Sequence, residues 1–363
     1  MVARAHGGAR TLTVGPSERW RTLADAVRAA ADGDTIELQP GHYRSDVAVV
    51  TQPRLTIRGL GTGAVFHADG RSAQGKAILV VHGRDVAVEN CEFRGTRVPD
   101  GNGAGIRFES GRLTVRRCRF FDNEMGLLAA NDPRLELIVR SCEFGAAPRH
   151  AGLLHHLLYV GAIGRFALTG SRFTQGWRGH LVKTRALRNH VTYNLLDDGE
   201  DGQASYELEF PNGGDNVVVG NVIAQSPRTQ NPTILSMGAE ARDTMRGSLV
   251  LAHNTLVNRA GSSGRFIRVW ADHLSGDTPV TLANNLFVGA GDIGGAATAV
   301  AGNHRVAPAN LGRDYRLPPG SPLSGTAVAL PAKYTPTAAF EWPVGTRPLP
   351  ATMRLSPGAM QSI

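Results

Sequence analysis

A short apolar strand that ends in a small or amide residue, with an apolar residue two places further on, recurs along most of this chain. The runs VAVENCEF, LTVRRCRF, LIVRSCEF, FALTGSRF, HVTYNLL, VVVGNVI, LVLAHNTL and VTLANNLF align on Cys91, Cys118, Cys142, Ser171, Asn194, Asn221, Asn254 and Asn285. The steps between them are 27, 24, 29, 23, 27, 33 and 31 residues. Two places after each stands Phe93, Phe120, Phe144, Phe173, Leu196, Ile223, Leu256 or Phe287. LTIRGL, from Leu55, opens the series without the small residue. Such a period marks a solenoid, in which each coil buries its apolar side only by stacking on its neighbours.

A second strand precedes each of these: AILVV, GIRFE, GLLAA, HLLYVG, HLVKTR, YELEF, TILSM and FIRVW. Two or three short strands per coil, with no helical pattern between them, predict an all-β parallel β-helix of about ten coils. The recurring Cys/Ser/Asn position becomes an inward ladder. Asn side chains bond from coil to coil, satisfying polar groups that burial would strand. The three cysteines stack in the same ladder as small hydrophobes. A disulfide between adjacent rungs is the other reading, and it leaves one thiol over. Their spacing fits no zinc motif.

Residues 10–44 read as strand, helix, strand, with Leu23, Ala26, Val27 and Ala30 on one helical stripe and a stop at Asp32-Gly33. This segment is expected to cap the open end of the solenoid, where apolar core and unpaired backbone would otherwise meet water. The expected organisation is one domain: cap and first coil over 1–54, coils over 55–301, and a final coil with a Pro-rich tail packed on the helix over 302–363.

Charged residues make up 19% of the chain and net charge is +8, with pI near 9.9. A basic balance points to an acidic partner. The basic residues are scattered, with no long run and no interleaved aromatics, so nucleic acid is not expected. No 18-residue apolar run exists, so no membrane span is expected. The start, MVARAHGGARTLTV, lacks the apolar core of a signal, which implies either a cytoplasmic protein or a signal already removed.

The segment RTLADAVRAAADGDTIELQPGHYR, the coil repeat and DYRLPPGSPL together resemble the pectin-lyase-like superfamily of right-handed parallel β-helix proteins. That superfamily includes lyases, hydrolases, esterases and non-enzymes, so the resemblance speaks to fold more than to activity. Within it, VKTRALRNHVTYNLLDDG is similar to the alginate-lyase and chondroitinase-B group. There a Lys precedes an Asn-bearing coil and an Arg sits on the next strand. Lys183, Asn189 and Asn194 match; at the Arg position this chain has YELEF. The resemblance implies a secreted or periplasmic polysaccharide lyase.

Read with period 2, HLVKTR places Leu181, Lys183 and Arg185 on one face, and SYELEF places Ser205, Glu207 and Glu209 on one face. If these strands are neighbours, Lys183 and Arg185 stand beside Glu207 and Glu209 on the outside. The same reading brings out Arg107, Glu109, His155, Tyr159, Ser236, Arg268 and Trp270. Asn231 and Glu240 flank the cleft. β-Elimination needs a carboxylate clamp, a base and an acid. Lys183 is assigned as base, Arg185 as clamp, and Tyr159 or His155 as acid. Arg107, Arg268, Trp270 and Asn231 would bind an acidic polysaccharide or oligosaccharide. Ca²⁺ is a possible cofactor, held by Glu207 and Glu209.

Competing readings exist. Lys183–Glu207 and Arg185–Glu209 could be plain cross-strand ion pairs worth roughly 0.2–1 kcal/mol each. Glu207 and Glu209, two apart on one face, would stand roughly 6.6 Å apart, near the range of inverting glycosidases. A non-catalytic carbohydrate-binding solenoid is a third possibility. LDDGEDG reads as a solvated turn or a Ca²⁺ loop. His150, His155 and His156 do not have zinc spacing, and His180 is expected to point inward as a structural residue. A monomer is expected.

Overall fold

The computed structural model describes residues 8–150, 154–242, 244–261, 264–294 and 297–361. Three parallel sheets of twelve, nine and eleven strands run the length of the chain, and successive strands pass from one sheet to the next. Every pairing in the three sheets is parallel, and each strand bonds to its counterpart one coil away. This is the parallel β-helix expected from the repeat. The first sheet carries strands such as Arg188–Thr192, the third strands such as Leu195–Asp197, and the second strands such as Val182–Thr184.

The corner between the first and third sheets explains the repeat. Asn90, Arg117, Ser141, Gly170, Tyr193, Gly220, His253, Asn284 and Gly302 all adopt φ between 49° and 69°. One left-handed residue per coil turns the chain sharply and aims the next side chain inward. Gly220 has a further reason to lack a side chain: a Cβ there would lie 2.7 Å from the Tyr193 ring.

The residue after each corner forms the predicted ladder. Asn194 donates its backbone N–H and its Nδ2 to Asn221 Oδ1, both at 2.9 Å. The pattern repeats from Asn221 to Asn254, Asn254 to Asn285 and Asn285 to Asn303. Toward the N-terminus it passes through Ser171 to Cys142 and Cys118. Cys91, Cys118 and Cys142 are free and buried. Alongside runs a column of stacked rings, Tyr43, Phe66, Phe93, Phe120, Phe144 and Phe173, with centroids 4.6–5.5 Å apart.

The N-terminal cap is as expected, with a shorter helix. Helix α1 spans Leu23–Ala29, and its extended C-cap is Ala30 rather than a residue at Asp32-Gly33. Gln52 Nε2 donates to the terminal carbonyls of Val27 and Ala30, which ends the helix early. At the other end, buried Asp46 accepts from the Leu23 and Ala24 amides.

The tail lies over the outward side of the third sheet. Tyr315, Leu317, Phe340, Ala359 and Met360 pack on Leu195, Val222, Ala224, Val257, Leu286 and Val288. Arg259 bridges Asp197 at 2.7 Å and Tyr315 Oη at 2.8 Å, and Tyr315 donates to Asp197. The tail thus leaves the second sheet's outward side uncovered.

Candidate functional site

The second sheet has one outward column. In register it reads Val80, Arg107, Leu128, Tyr159, Lys183, Glu209, Ser236 and Arg268. Its N-terminal rungs are covered: Val80 and Leu128 pack with Ala73, Ala77, Ala104 and Met125. The polar part begins at Tyr159.

Lys183 Nζ lies 3.5 Å from Glu209 Oε2 and 2.7 Å from Glu240 Oε1. Arg185 Nη2 holds the other oxygen of Glu240. Arg185 Nε donates to Tyr159 Oη at 2.9 Å, and Nη1 donates to Asn212 Oδ1. Both cations also lie over the Tyr159 ring, 5.8 Å from its centroid. Glu240 reaches in from the turn after Thr233–Met237, where its amide donates to Pro211 O. Burial pushes the Glu240 carboxyl up, but the bonds from Lys183 and Arg185 outweigh it and hold the carboxyl below its usual range. Burial likewise lowers Arg185, and its bonds to Glu240 and Tyr159 reverse the shift.

Behind this cluster stand two histidines. His180 Nε2 is 3.0 Å from Glu209 Oε2. Its ring packs on His156 at 4.6 Å and on Tyr206 at 5.0 Å. The His180 amide donates to His156 Nδ1. Burial lowers the basicity of both rings, His156 most strongly.

The site therefore keeps Tyr159, Lys183, Arg185 and Glu209 and changes their neighbours. Glu207 does not belong to it. Its carboxylate is fully buried in the lumen, with neither oxygen hydrogen-bonded. Burial, then the nearby Asp198, pushes it well above the usual carboxylate range. The physical reason is the entry into each second-sheet strand, at or just inside its start, where two consecutive residues face inward. Leu157–Leu158, Leu181–Val182, Ile234–Leu235 and Phe266–Ile267 are such doublets, and Glu207–Leu208 occupies the same place. Glu207 and Glu209 lie on opposite sides of the sheet and cannot share a Ca²⁺ ion or act as a glycosidase pair. The Lys183–Glu207 and Arg185–Glu209 pairs are replaced by Lys183–Glu209 and the two bonds to Glu240.

His155 is fully buried, with Nδ1 against Pro148 O, and is no candidate acid; its neighbour His156 reaches the site. His180, expected to be structural, lies against Glu209. Asn231 is a turn residue: its Oδ1 accepts from the Thr233 amide. Arg107 is bound to Glu109, which also holds Lys76. Arg268 is stacked 3.4 Å above the Trp270 ring. Both lie on or beside the column but outside the cluster. Three of the four LDDGEDG carboxylates have partners of their own. Asp197 meets Arg259, Asp198 accepts from the Gly176 and Ala204 amides, and Asp201 meets Arg228. Among the described residues, no group of three His, Cys, Asp or Glu is placed to hold a metal ion. No helix there is long and apolar enough to cross a membrane.

No family model matches the sequence, and no curated protein does. Among solved structures, the chain is similar to pectate lyase Pel9A, with a TM-score of 0.63 and 12% identity over 98% of this chain and 97% of that one. The Geobacillus virus E2 protein ORF18 gives a TM-score of 0.32, at 12% identity over 77% of this chain and 53% of that one. A pectin methylesterase from Aspergillus niger gives 0.27, at 12% identity over 86% and 90%, and neither of these two bears on the argument. The near-complete overlay on the pectate lyase establishes the architecture: the chain has the right-handed parallel β-helix fold.

Proposed function

We propose that the chain binds an acidic, uronic-acid-containing polysaccharide on the second sheet's outward side and cleaves it by β-elimination. The observation that carries this reading is the placement of Glu240. One of its oxygens rests on Lys183 and the other on Arg185, so the two cations form a cradle for a carboxylate. In the proposed reaction the uronate carboxylate takes that place. Arg185 is already oriented by Tyr159 and Asn212, and it offsets the charge that opposes removal of the C5 proton. With the substrate carboxylate held by Arg185, Lys183, which gives up its own proton as Glu240 is displaced, takes the C5 proton as the amine. The electron pair forms the C4–C5 double bond as the C4–O4 bond breaks. Tyr159 protonates the departing oxygen. Arg185 Nε–H donates to the Tyr159 oxygen, which leaves the phenolic hydrogen free for the substrate. Glu209, flanked by His180, positions Lys183. His180 is a poor base here because its free nitrogen, Nδ1, is buried.

On this reading the protein works in a secreted or periplasmic setting. The test is ultraviolet absorbance of the unsaturated product against a panel of uronic-acid polymers, with Ca²⁺ and with chelator. Wild type is run beside Lys183→Ala and Tyr159→Phe. A rise lost in Lys183→Ala is expected. New reducing ends without absorbance would replace elimination with hydrolysis. Retention of glycan with neither signal would make the solenoid a binding module.

A further inference from the structure

We infer that the groove beside Arg185 is a second anion-binding subsite, one that takes the carboxylate of the next residue along the polymer; this rests on the reading of Lys183 and Arg185 as a carboxylate cradle. The groove has a volume of about 560 Å³ and lies where the second sheet turns into the first. Arg185 and Asn212 form the wall it shares with the cluster around Lys183. From there it runs past Leu187 and Met245 to Arg188 and Arg246.

Its chemistry is specific in two respects. Three guanidinium groups line it against one described carboxylate, Asp215, which already accepts the Ser248 hydroxyl at 3.0 Å. Asp243 lies outside the described residues, and counting it still leaves the arginines in excess. Arg188 and Arg246 are both exposed, so each guanidinium can reach a ligand without rearranging the fold. Leu187, 56% exposed, supplies an apolar surface of the kind that packs on the C–H side of a sugar ring. A neutral sugar would leave the arginines unmatched. A chain with carboxylates on successive residues would engage the cradle and the groove together.

The experiment measures binding of oligogalacturonate hexamers and of chondroitin oligosaccharides, in which acidic and amino sugars alternate, by calorimetry at low salt. Arg188→Ala and the Arg188→Ala/Arg246→Ala double variant are compared with wild type. Arg165→Ala is the control, removing the same charge one rung away, where it pairs with Glu136 outside the groove. Loss of a charge-assisted contact predicts hexamer affinity weakened by about 10-fold in Arg188→Ala, and more in the double variant. Arg165→Ala should bind as wild type does. Equal weakening by Arg165→Ala would reduce the effect to net charge and overturn the subsite. Unchanged affinity in the double variant, with wild type still binding, would overturn the subsite alone. Tighter wild-type binding of the alternating polymer would refute the requirement for successive carboxylates. Failure of wild type to bind either probe would remove both this inference and the function it rests on.

Discussion

Replacing Glu207 with Leu should stabilise the protein, by an amount that grows with pH. Glu207 occupies a lumen position that is Leu, Ile or Phe in neighbouring coils, and its two oxygens have no hydrogen-bond partner. Even protonated, an unpartnered buried carboxyl costs about 1–3 kcal/mol. The native pKa is raised well above the usual range, first by burial and then by Asp198. In the unfolded chain the group titrates near about 4.3. Between those two values the native state keeps a proton that the unfolded state has released. Stability therefore falls as pH rises through that window, by about 1.4 kcal/mol per pH unit. Glu207→Leu should therefore gain at least the about 1–3 kcal/mol that the unpartnered carboxyl costs, and more as pH rises through that window. With an unfolding entropy of about 2.1 cal/mol/K per residue over 363 residues, the roughly 1–3 kcal/mol alone is a rise in Tm of roughly 1–4 °C. Part of the gain comes through Asp198, itself pushed up to about 6, first by burial. The assay is thermal melting by circular dichroism at pH 5, 6, 7 and 8, read as the difference between variant and wild type. Taking the difference removes the histidine titrations common to both. Glu207→Gln should abolish the pH slope while keeping the cost of an unpartnered polar group. A gap that stays constant with pH, or a Leu variant that melts lower, would refute the reasoning.

Other consequences can be checked directly. Glu240→Gln removes the carboxylate that occupies Lys183 and Arg185, so KM for acidic oligosaccharides should fall several-fold, with little change in Tm because Glu240 is part-exposed. Asn221→Ala strands the Asn194 amide and Nδ2 and loses the bonds to Val191, Val219 and Asn254. It should lower denaturant stability by about 2–4 kcal/mol, more than an exposed Asn→Ala change. The three buried cysteines should be silent to a thiol reagent in the native protein and all react after unfolding, since burial raises the Cys91 and Cys142 thiols. Arg259→Ala leaves Asp197 and Tyr315 with only their direct hydrogen bond, and should make the tail beyond residue 302 the first site of limited proteolysis.

The coil architecture was legible because each coil repeats the same chemical problem. A left-handed corner residue, an inward amide or thiol and an apolar side chain two places on recur with little variation, and Asn194 through Asn285 fall where their spacing puts them. The outward site was legible in part. Lys183, Glu209 and Tyr159 lie on consecutive rungs, as alternation within their strands implies. Strict alternation failed at the entry into each second-sheet strand, where two successive residues turn inward. Leu181 and Glu207 were misassigned for that reason. Stacking the doublets Leu157–Leu158, Leu181–Val182, Ile234–Leu235 and Phe266–Ile267 over Glu207–Leu208 would have exposed the carboxylate as a lumen residue. Glu240 is 57 residues from Lys183 in sequence and arrives on a turn. No periodicity could assign its partners, although its place beside TILSM marked it as a neighbour of the cleft. His180 was misread because an alternation that sets it opposite Lys183 ignores the same doublet.

The inward ladder changes character along the rod. Up to Phe173 the lumen is filled by stacked rings and small thiols, whose cohesion is largely hydrophobic and weakens on cooling. From Asn194 onward the inward column is knitted by amide hydrogen bonds, whose contribution is chiefly enthalpic. Tyr159, Lys183 and Glu209 stand on the coils where one regime gives way to the other. The apolar core continues through both parts, by Leu196, Ile223, Leu256 and Phe287 in the later coils. What changes beneath Tyr159 and Lys183 is therefore directionality: from the coil of Lys183 onward, amide-to-amide hydrogen bonds of the inward column add to the backbone ladder in fixing the register of each coil, where before it that column contributes chiefly packing.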